Sequence, residues 1–312
     1  MPKEVISQLS QWGPDGCSPC TEAQAQAYCR SLTLGRYENF SVLSSLVPEQ
    51  LQEGVCAVYA FCRWADDLGD EVGDAAKSEE LLSWWRGELD ACFSGRATHP
   101  VFLSLRPMID RHDLEPTEFH QLIDAFVQDQ HVNRYLTWDQ VVDYCTGSAD
   151  PVGRLVLRIA GADQSQEQLE HSDRVCTGLQ LANHWQDVQR DLLERDRIYL
   201  PMNEANIDEF ESRLVTTIRQ GHAPDPDFLE AYRCFIRALV ERTRPMLECV
   251  HPLLASLDPD VRPMVWLFAA GGLTVLDLIE QSNCETALYR VKISKLRKAL
   301  LVWKATRHGR VA

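Results

Sequence analysis

Apolar residues recur at steps of three and four along most of the chain. The segments SEELLSWWRGELDACF, EFHQLIDAFVQDQ, WDQVVDYCTGSADPVGRLVLRIA and DFLEAYRCFIRALVERTRPMLECVHPLLASL all carry this spacing, which places one apolar stripe on each predicted helix. No run alternates apolar and polar residues as a half-buried strand does, and no Asn-Gly or Asp-Gly hairpin is flanked by such runs. Prolines and glycines fall between the periodic segments, at Pro48, Pro107, Pro201, HAPDPD at 222–227 and DPDVRP at 258–263. The pattern predicts an all-α protein of roughly ten to twelve helices. Residues 1–312 read as a single domain, with 1–28 as an N-terminal extension and 289–312 as a basic C-terminal helix.

Two of the predicted helices carry acidic residues on helical spacing. Pro48 suits a first turn, and Glu49 complements the helix dipole there. Leu51, Val55, Tyr59 and Cys62 then form one stripe, and the same line continues into Asp66 and Asp70. The two carboxylates are therefore expected to share a line with inward-facing apolar residues. Asp67 and Glu71 form a second pair about 100° round the helix and are expected to matter less. Like charges at this spacing repel, so a buried pair needs a cation. The competing expectation is a frayed, solvated helix end weakened by Gly69 and Gly73.

The second acidic helix is GLQLANHWQDVQRD. Gln180, Asn183, Asp187 and Asp191 follow steps of three, four and four, with Leu181, Trp185, Val188 and Leu192 on the other side. An amide–amide–acid–acid line opposite an apolar side suits the wall of a polar cavity, whereas an ordinary surface helix is the alternative. His184 lies between the stripes and reads as structural. Arg195, Arg197 and Tyr199 follow directly, and cations there suit the far oxygens of a diphosphate. Surface arginines neutralising an acidic helix end are the competing reading. Oxygen donors alone point to Mg²⁺, which keeps waters and bridges to phosphates.

Composition narrows the field. The chain has 312 residues and a net charge of −15, which disfavours nucleic acid as a partner. Its eleven cysteines lie largely in apolar runs and read as buried small hydrophobes in a reducing compartment. The CSPC of Cys17 to Cys20 has metal or redox spacing, but no second Cys pair or nearby His completes a site, and it reads as a turn. The N-terminus lacks the apolar core of a signal peptide. The longest apolar run, Met264 to Leu276, falls short of the about 20 residues a membrane span needs and is expected to be a buried helix. The expected location is cytoplasmic, with contact at the inner membrane surface left open.

At these residues the chain resembles the squalene and phytoene synthase family over roughly residues 29–298. The first acidic motif stands as YAFCRWADDLGDE, placing Arg63, Asp66 and Asp70, and the second as QLANHWQDVQRD, placing Gln180, Asn183, Asp187 and Asp191. The family's further motifs correspond to Asp129 with Arg134 and Tyr135, to Tyr144 through Gly153, and to Tyr289, Arg290 and Lys295. The stretch GRYENFSVLSSLVP, with Tyr37 and Asn39, matches the flap before the first acidic helix. In detail the chain is similar to hydroxysqualene synthases of bacterial hopanoid pathways. Gly35 and Arg36 stand where such relatives usually have Ser-His, so any role of that histidine is absent here.

The resemblance implies an isoprenoid synthase fold, with helices around a central cavity. The implied reaction is presqualene diphosphate plus water giving hydroxysqualene and diphosphate, a Mg²⁺-dependent lyase reaction. Asp66, Asp70, Asn183, Asp187 and Asp191 would hold the metal. Arg63, Gln180, Arg197, Tyr199, Arg290, Tyr37 and Asn39 would bind the substrate or its diphosphate, and Tyr144 would position water or steady the cation. Two other readings stay open: a prenyltransferase joining two isoprenyl diphosphates to presqualene diphosphate, squalene or phytoene, and a non-catalytic binding or assembly factor. Residues 289–312 carry eight Lys or Arg and no acid, with Leu296, Leu300 and Trp303 on one face. That pattern suits either a helix docked on its own fold or one lying on a membrane surface.

Overall fold

The computed structural model describes residues 5–16, 18–36, 46–221 and 225–308. These residues form fourteen α-helices, more than the apolar pattern predicts. They are α1 Leu9–Trp12, α2 Glu22–Arg36, α3 Glu49–Asp70, α4 Ala75–Phe93, α5 Pro100–His112, α6 Pro116–Gln128, α7 Trp138–Ser148, α8 Asp150–Ile159, α9 Gln166–Arg195, α10 Phe210–Gln220, α11 Pro226–Glu248, α12 Val250–Ala255, α13 Arg262–Gln281 and α14 Lys295–His308. Two continuous periodic segments are each divided. Ala149, at φ −123, ends α7, and the Asp150-Pro151 pair that follows suits a fresh helix start. Cys249 separates α11 from the short α12. Among the described residues no strand forms, and a lone parallel bridge joins Arg134 to Ile198.

Contacts within the chain sort it into two compact units. The first takes the residues up to His131 together with Pro151–Leu169, and the second takes Val132–Asp150 and the residues from Glu170 onward.

In the first unit α3 packs against α2, α4, α5 and α6. It does so through aromatic side chains. The Phe61 ring lies 5.0 Å from Phe119 and 5.8 Å from Trp85, and Trp64 stacks on Trp85 at 5.2 Å. His99 closes this knot, 4.4 Å from Trp64 and 4.9 Å from Trp85. Its Nδ1 also accepts the Val101 N–H at the start of α5, where Pro100 needs no partner for a missing N–H. Gly54 lets α3 approach Ile159, since a Cβ there would sit 3.0 Å from its Cγ2.

In the second unit α13 packs against α11, α12 and α14. Gly178 of α9 lies against α11, where a Cβ would meet Met246 Cβ at 3.0 Å and the Leu247 backbone nitrogen at 3.2 Å. Helix α13 has the length and apolarity of a membrane span, but half of its apolar window is buried within the protein. Met264, Leu267, Ala269, Val275, Leu276 and Ile279 are among its buried residues, as expected of a core helix.

Candidate functional site

Helix α3 continues through its acidic end to Asp70. Gly69, expected to weaken this end, is buried there. Its carbonyl accepts Gln130 Nε2 at 3.1 Å and Ser78 Oγ at 3.3 Å. The frayed-end reading therefore fails.

The line on which the carboxylates lie differs from expectation. Leu51 and Val55 are buried, but Tyr59, Cys62, Asp66 and Asp70 on the same line are half-buried. The fully buried face takes in Ala57, Ala60, Trp64 and Asp67 on one line and Phe61, Ala65 and Leu68 beside it, each at 0% exposure. Asp67, read from the sequence as off the inward stripe, is thus the most deeply buried acid of α3. It is ion-paired with Arg63, whose Nη1 also lies 3.2 Å from Asp66 Oδ2. The physical reason is the aromatic knot: Trp64 turns its face of α3 inward, and Asp67 follows one turn later. Burial pushes the Cys62 thiol up to about 12, with Asp66 adding to the effect, so Cys62 stays an uncharged neighbour of the acids.

Helix α9 carries the second cluster. Leu181, Trp185, Val188 and Leu192 are all buried, and Trp185 donates its indole N–H to Thr243 Oγ1 at 2.9 Å. Asp187 and Asp191 are buried too, each 5% exposed, while Gln180 and Asn183 are half-buried. An ordinary surface helix is excluded by these acids.

Three guanidinium groups surround the two carboxylates. Arg290 bonds Asp187 through both Nε and Nη2, the latter at 3.1 Å from Oδ2. Arg190 bridges the pair, with Nη2 2.8 Å from Asp187 Oδ2 and 3.1 Å from Asp191 Oδ1. Arg195 Nη1 stands 3.8 Å from Asp191 Oδ1. Burial pushes the Asp191 carboxyl up to about 6, Arg190 opposes this, and the negative Asp187 adds to it. Two buried acids one helical turn apart thus compete for positive charge.

Arg290 is held from behind by α9 itself. Gln186 Nε2 donates to the Val291 carbonyl at 2.7 Å, and Gln189 Nε2 donates to the Leu288 carbonyl at 3.2 Å. The two amides grip the chain on both sides of Arg290. Sequence reasoning missed these amides and Arg190. For Arg190 a signal existed: a cation three residues after Asp187 and beside Asp191.

Tyr199 and Tyr144 lie in one aromatic group. Tyr199 stacks on the His184 ring at 4.1 Å and on Tyr135 at 5.4 Å, and Tyr144 lies 5.1 Å from Tyr199. Pairing of residues 133–136 with 198–203 sets this group, through Ile198 N–H to the Asn133 carbonyl at 2.9 Å and Met202 N–H to the Tyr135 carbonyl at 3.1 Å. Burial lowers the His184 pKa to about 3, with Arg190 adding to the effect, so the ring is neutral and packs as structural. Arg197 is buried close by in sequence, 7% exposed.

The remaining expected residues are more dispersed. Asp129 is buried at the end of α6. Arg134 pairs instead with Glu211 at 2.6 Å and Asp196 at 2.9 Å. The Tyr289 hydroxyl donates to the Ser282 carbonyl and lies 2.8 Å from Glu285 Oε2, and Lys295 is exposed at the start of α14. Tyr37, Asn39, Cys17 and the Arg36 side chain lie outside the described residues.

Among the described residues no group of three or more His, Cys, Asp or Glu side chains converges as a metal cage. The donor set nevertheless fits Mg²⁺. That ion takes one or two carboxylates and completes its shell with water and phosphate oxygens, and the buried Asp187–Asp191 pair offers carboxylate oxygens one turn apart on a single helix.

The squalene/phytoene synthase family model matches residues 35–297. A hydroxysqualene synthase from Sinorhizobium fredii is 38% identical over 173 residues, covering 55% of this chain and 58% of that relative, just over half its length. A phytoene synthase from Arthrospira platensis is 25% identical over 97% of this chain and 99% of its own length. Among solved structures, squalene synthase HpnC from Alicyclobacillus acidocaldarius superposes with a TM-score of 0.72 at 37% identity, covering 84% of this chain and 95% of that one. A family match across most of the sequence, joined to this shared helical fold, makes the chain a member of the squalene/phytoene synthase family.

Proposed function

We propose that the protein converts presqualene diphosphate and water to hydroxysqualene and diphosphate. The observation that carries this reading is the buried Asp187–Asp191 pair set among Arg190, Arg195 and Arg290. Ionising a carbon–oxygen bond leaves the electron pair, and so a growing negative charge, on the departing diphosphate. A site that already concentrates guanidinium donors in a protein of net charge −15 suits that leaving group. Asp66, Asp70, Asn183, Asp187 and Asp191 would hold Mg²⁺, and Mg²⁺ when bound supplies Lewis-acid neutralisation of diphosphate charge.

The chain's own residues do the rest. Arg290 and Arg190 orient carboxylate oxygens and have further N–H donors for phosphate. Arg63 serves the same purpose beside Asp66, and Gln180, Arg197, Tyr199, Tyr37 and Asn39 complete the substrate contacts. The faces of Tyr135, Tyr144 and Tyr199 favour a carbocation through their ring quadrupoles. The Tyr144 hydroxyl orients the water whose oxygen adds to the cation and whose proton then leaves. The proposed location is the cytoplasmic side of the inner membrane, where lipid substrates partition.

Identity of 38% to a hydroxysqualene synthase against 25% to a phytoene synthase favours water capture over condensation. The condensing transferase is the second reading, since that 25% match spans nearly the whole chain. A non-catalytic role ranks below both, because both aspartate pairs are intact. The test is product identity: supply presqualene diphosphate or farnesyl diphosphate with Mg²⁺ and extract the lipid. Hydroxysqualene from the former supports the reading, and turnover of farnesyl diphosphate alone overturns it.

A further inference from the structure

We propose that the outer face of α14 is a docking surface for an anionic membrane. Helix α14 has two apolar faces. Ala305 is fully buried and Leu301 and Val302 are half-buried on the face packed toward α13, where Arg297 Nη2 also donates to Gln281 Oε1 at 3.1 Å. At about 100° per residue, Leu296, Leu300 and Trp303 fall on the opposite side. They are 85%, 49% and 51% exposed. A docked helix needs one apolar face, so the second requires its own explanation.

Charge selects the occupant. Helix α14 carries Lys295, Arg297, Lys298, Lys304 and Arg307 and no acid, in a protein of net charge −15. Lys304 flanks the exposed stripe on one side and Lys295 on the other. The Arg307 guanidinium lies 4.2 Å over the Trp303 ring, a pairing that keeps the indole at headgroup level with a cation beside it. An anionic bilayer repels the acidic bulk of the protein and attracts this face, so one orientation is favoured. The inference holds whichever family reaction the protein performs.

Flotation of the full chain with phosphatidylcholine vesicles, with and without phosphatidylglycerol, tests it. Wild type should bind the anionic vesicles, weakly or not at all the neutral ones, and less as salt rises. The triple variant Leu296→Ser/Leu300→Ser/Trp303→Ser should lose at least about ten-fold in binding while melting as wild type, because the docked face is untouched. Lys304→Glu/Arg307→Glu should lose binding to anionic vesicles. Absence of binding to anionic vesicles, equal binding to both vesicle types, or binding unchanged in the variants overturns the proposal. So does wild type that ignores vesicles but forms a dimer which the triple variant abolishes, since the face then belongs to a second copy.

Discussion

Arg290 grips Asp187 with two nitrogens across a sequence separation of 103 residues. Two amides on the same helix as Asp187 fix the backbone around that arginine. Helix α9 thus presents the acid and also holds its partner in place. Arg290→Ala should lower turnover by about 10²-fold, the usual loss when one well-placed charge donor is removed. Arg290→Lys should recover only part of it, since an ammonium cannot reproduce the two-nitrogen contact. Steady-state kinetics of the three proteins checks both statements.

Gln186→Leu removes the donor to the Val291 carbonyl. It should cost about 1–3 kcal/mol of stability and lower kcat more than it raises KM. If Gln186 acts by positioning Arg290, the kinetic loss should largely vanish in the Arg290→Ala background. A double-mutant cycle on kcat reads this coupling, and independent, additive losses would contradict it.

The two adjacent acids of α3 should separate stability from chemistry. Asp67→Asn disrupts a buried ion pair with Arg63 and should destabilise the fold by about 3–5 kcal/mol. Asp66→Asn, at a half-buried position, should leave the denaturation midpoint close to wild type and lose activity. Denaturant unfolding and turnover, measured on both variants, distinguish the two roles.

His99 gives the fold an acid-sensitive element. Burial among tryptophans lowers its pKa to about 3, against about 6.5 in an unfolded chain. The unfolded state therefore binds the proton first as pH falls. The stability His99 contributes is present above about pH 6.5 and is lost between there and pH 3, by up to about 1.4 kcal/mol per pH unit. His99→Asn retains an acceptor for the Val101 N–H and should flatten that part of the slope. Unfolding free energies between pH 7 and pH 4 measure it.

Helical periodicity made the fold class legible, and the apolar side of α9 was readable residue by residue from Leu181 to Leu192. The acid stripe of α9 was legible too, because one helix carries the whole line. Asp67 was not, since its burial depends on how Trp64 packs against Trp85 in α4, a contact no local pattern records. Gln186 and Gln189 looked like ordinary polar residues because their partners are main-chain carbonyls 105 and 99 residues on. The breaks at Ala149 and Cys249 escaped because apolar spacing carries on through both. In α14 the exposed stripe was legible, and the second apolar face became visible only once Ala305 was seen packed.

In the proposed reaction, water ends the life of the presqualene cation. The direct measurement is turnover of presqualene diphosphate with Mg²⁺ in water enriched in oxygen-18, followed by mass spectrometry of the extracted lipid. Hydroxysqualene should carry the heavy isotope in its hydroxyl and form in step with diphosphate release. A hydrocarbon product, an unlabelled alcohol, or no turnover of presqualene diphosphate by protein that consumes farnesyl diphosphate would contradict it.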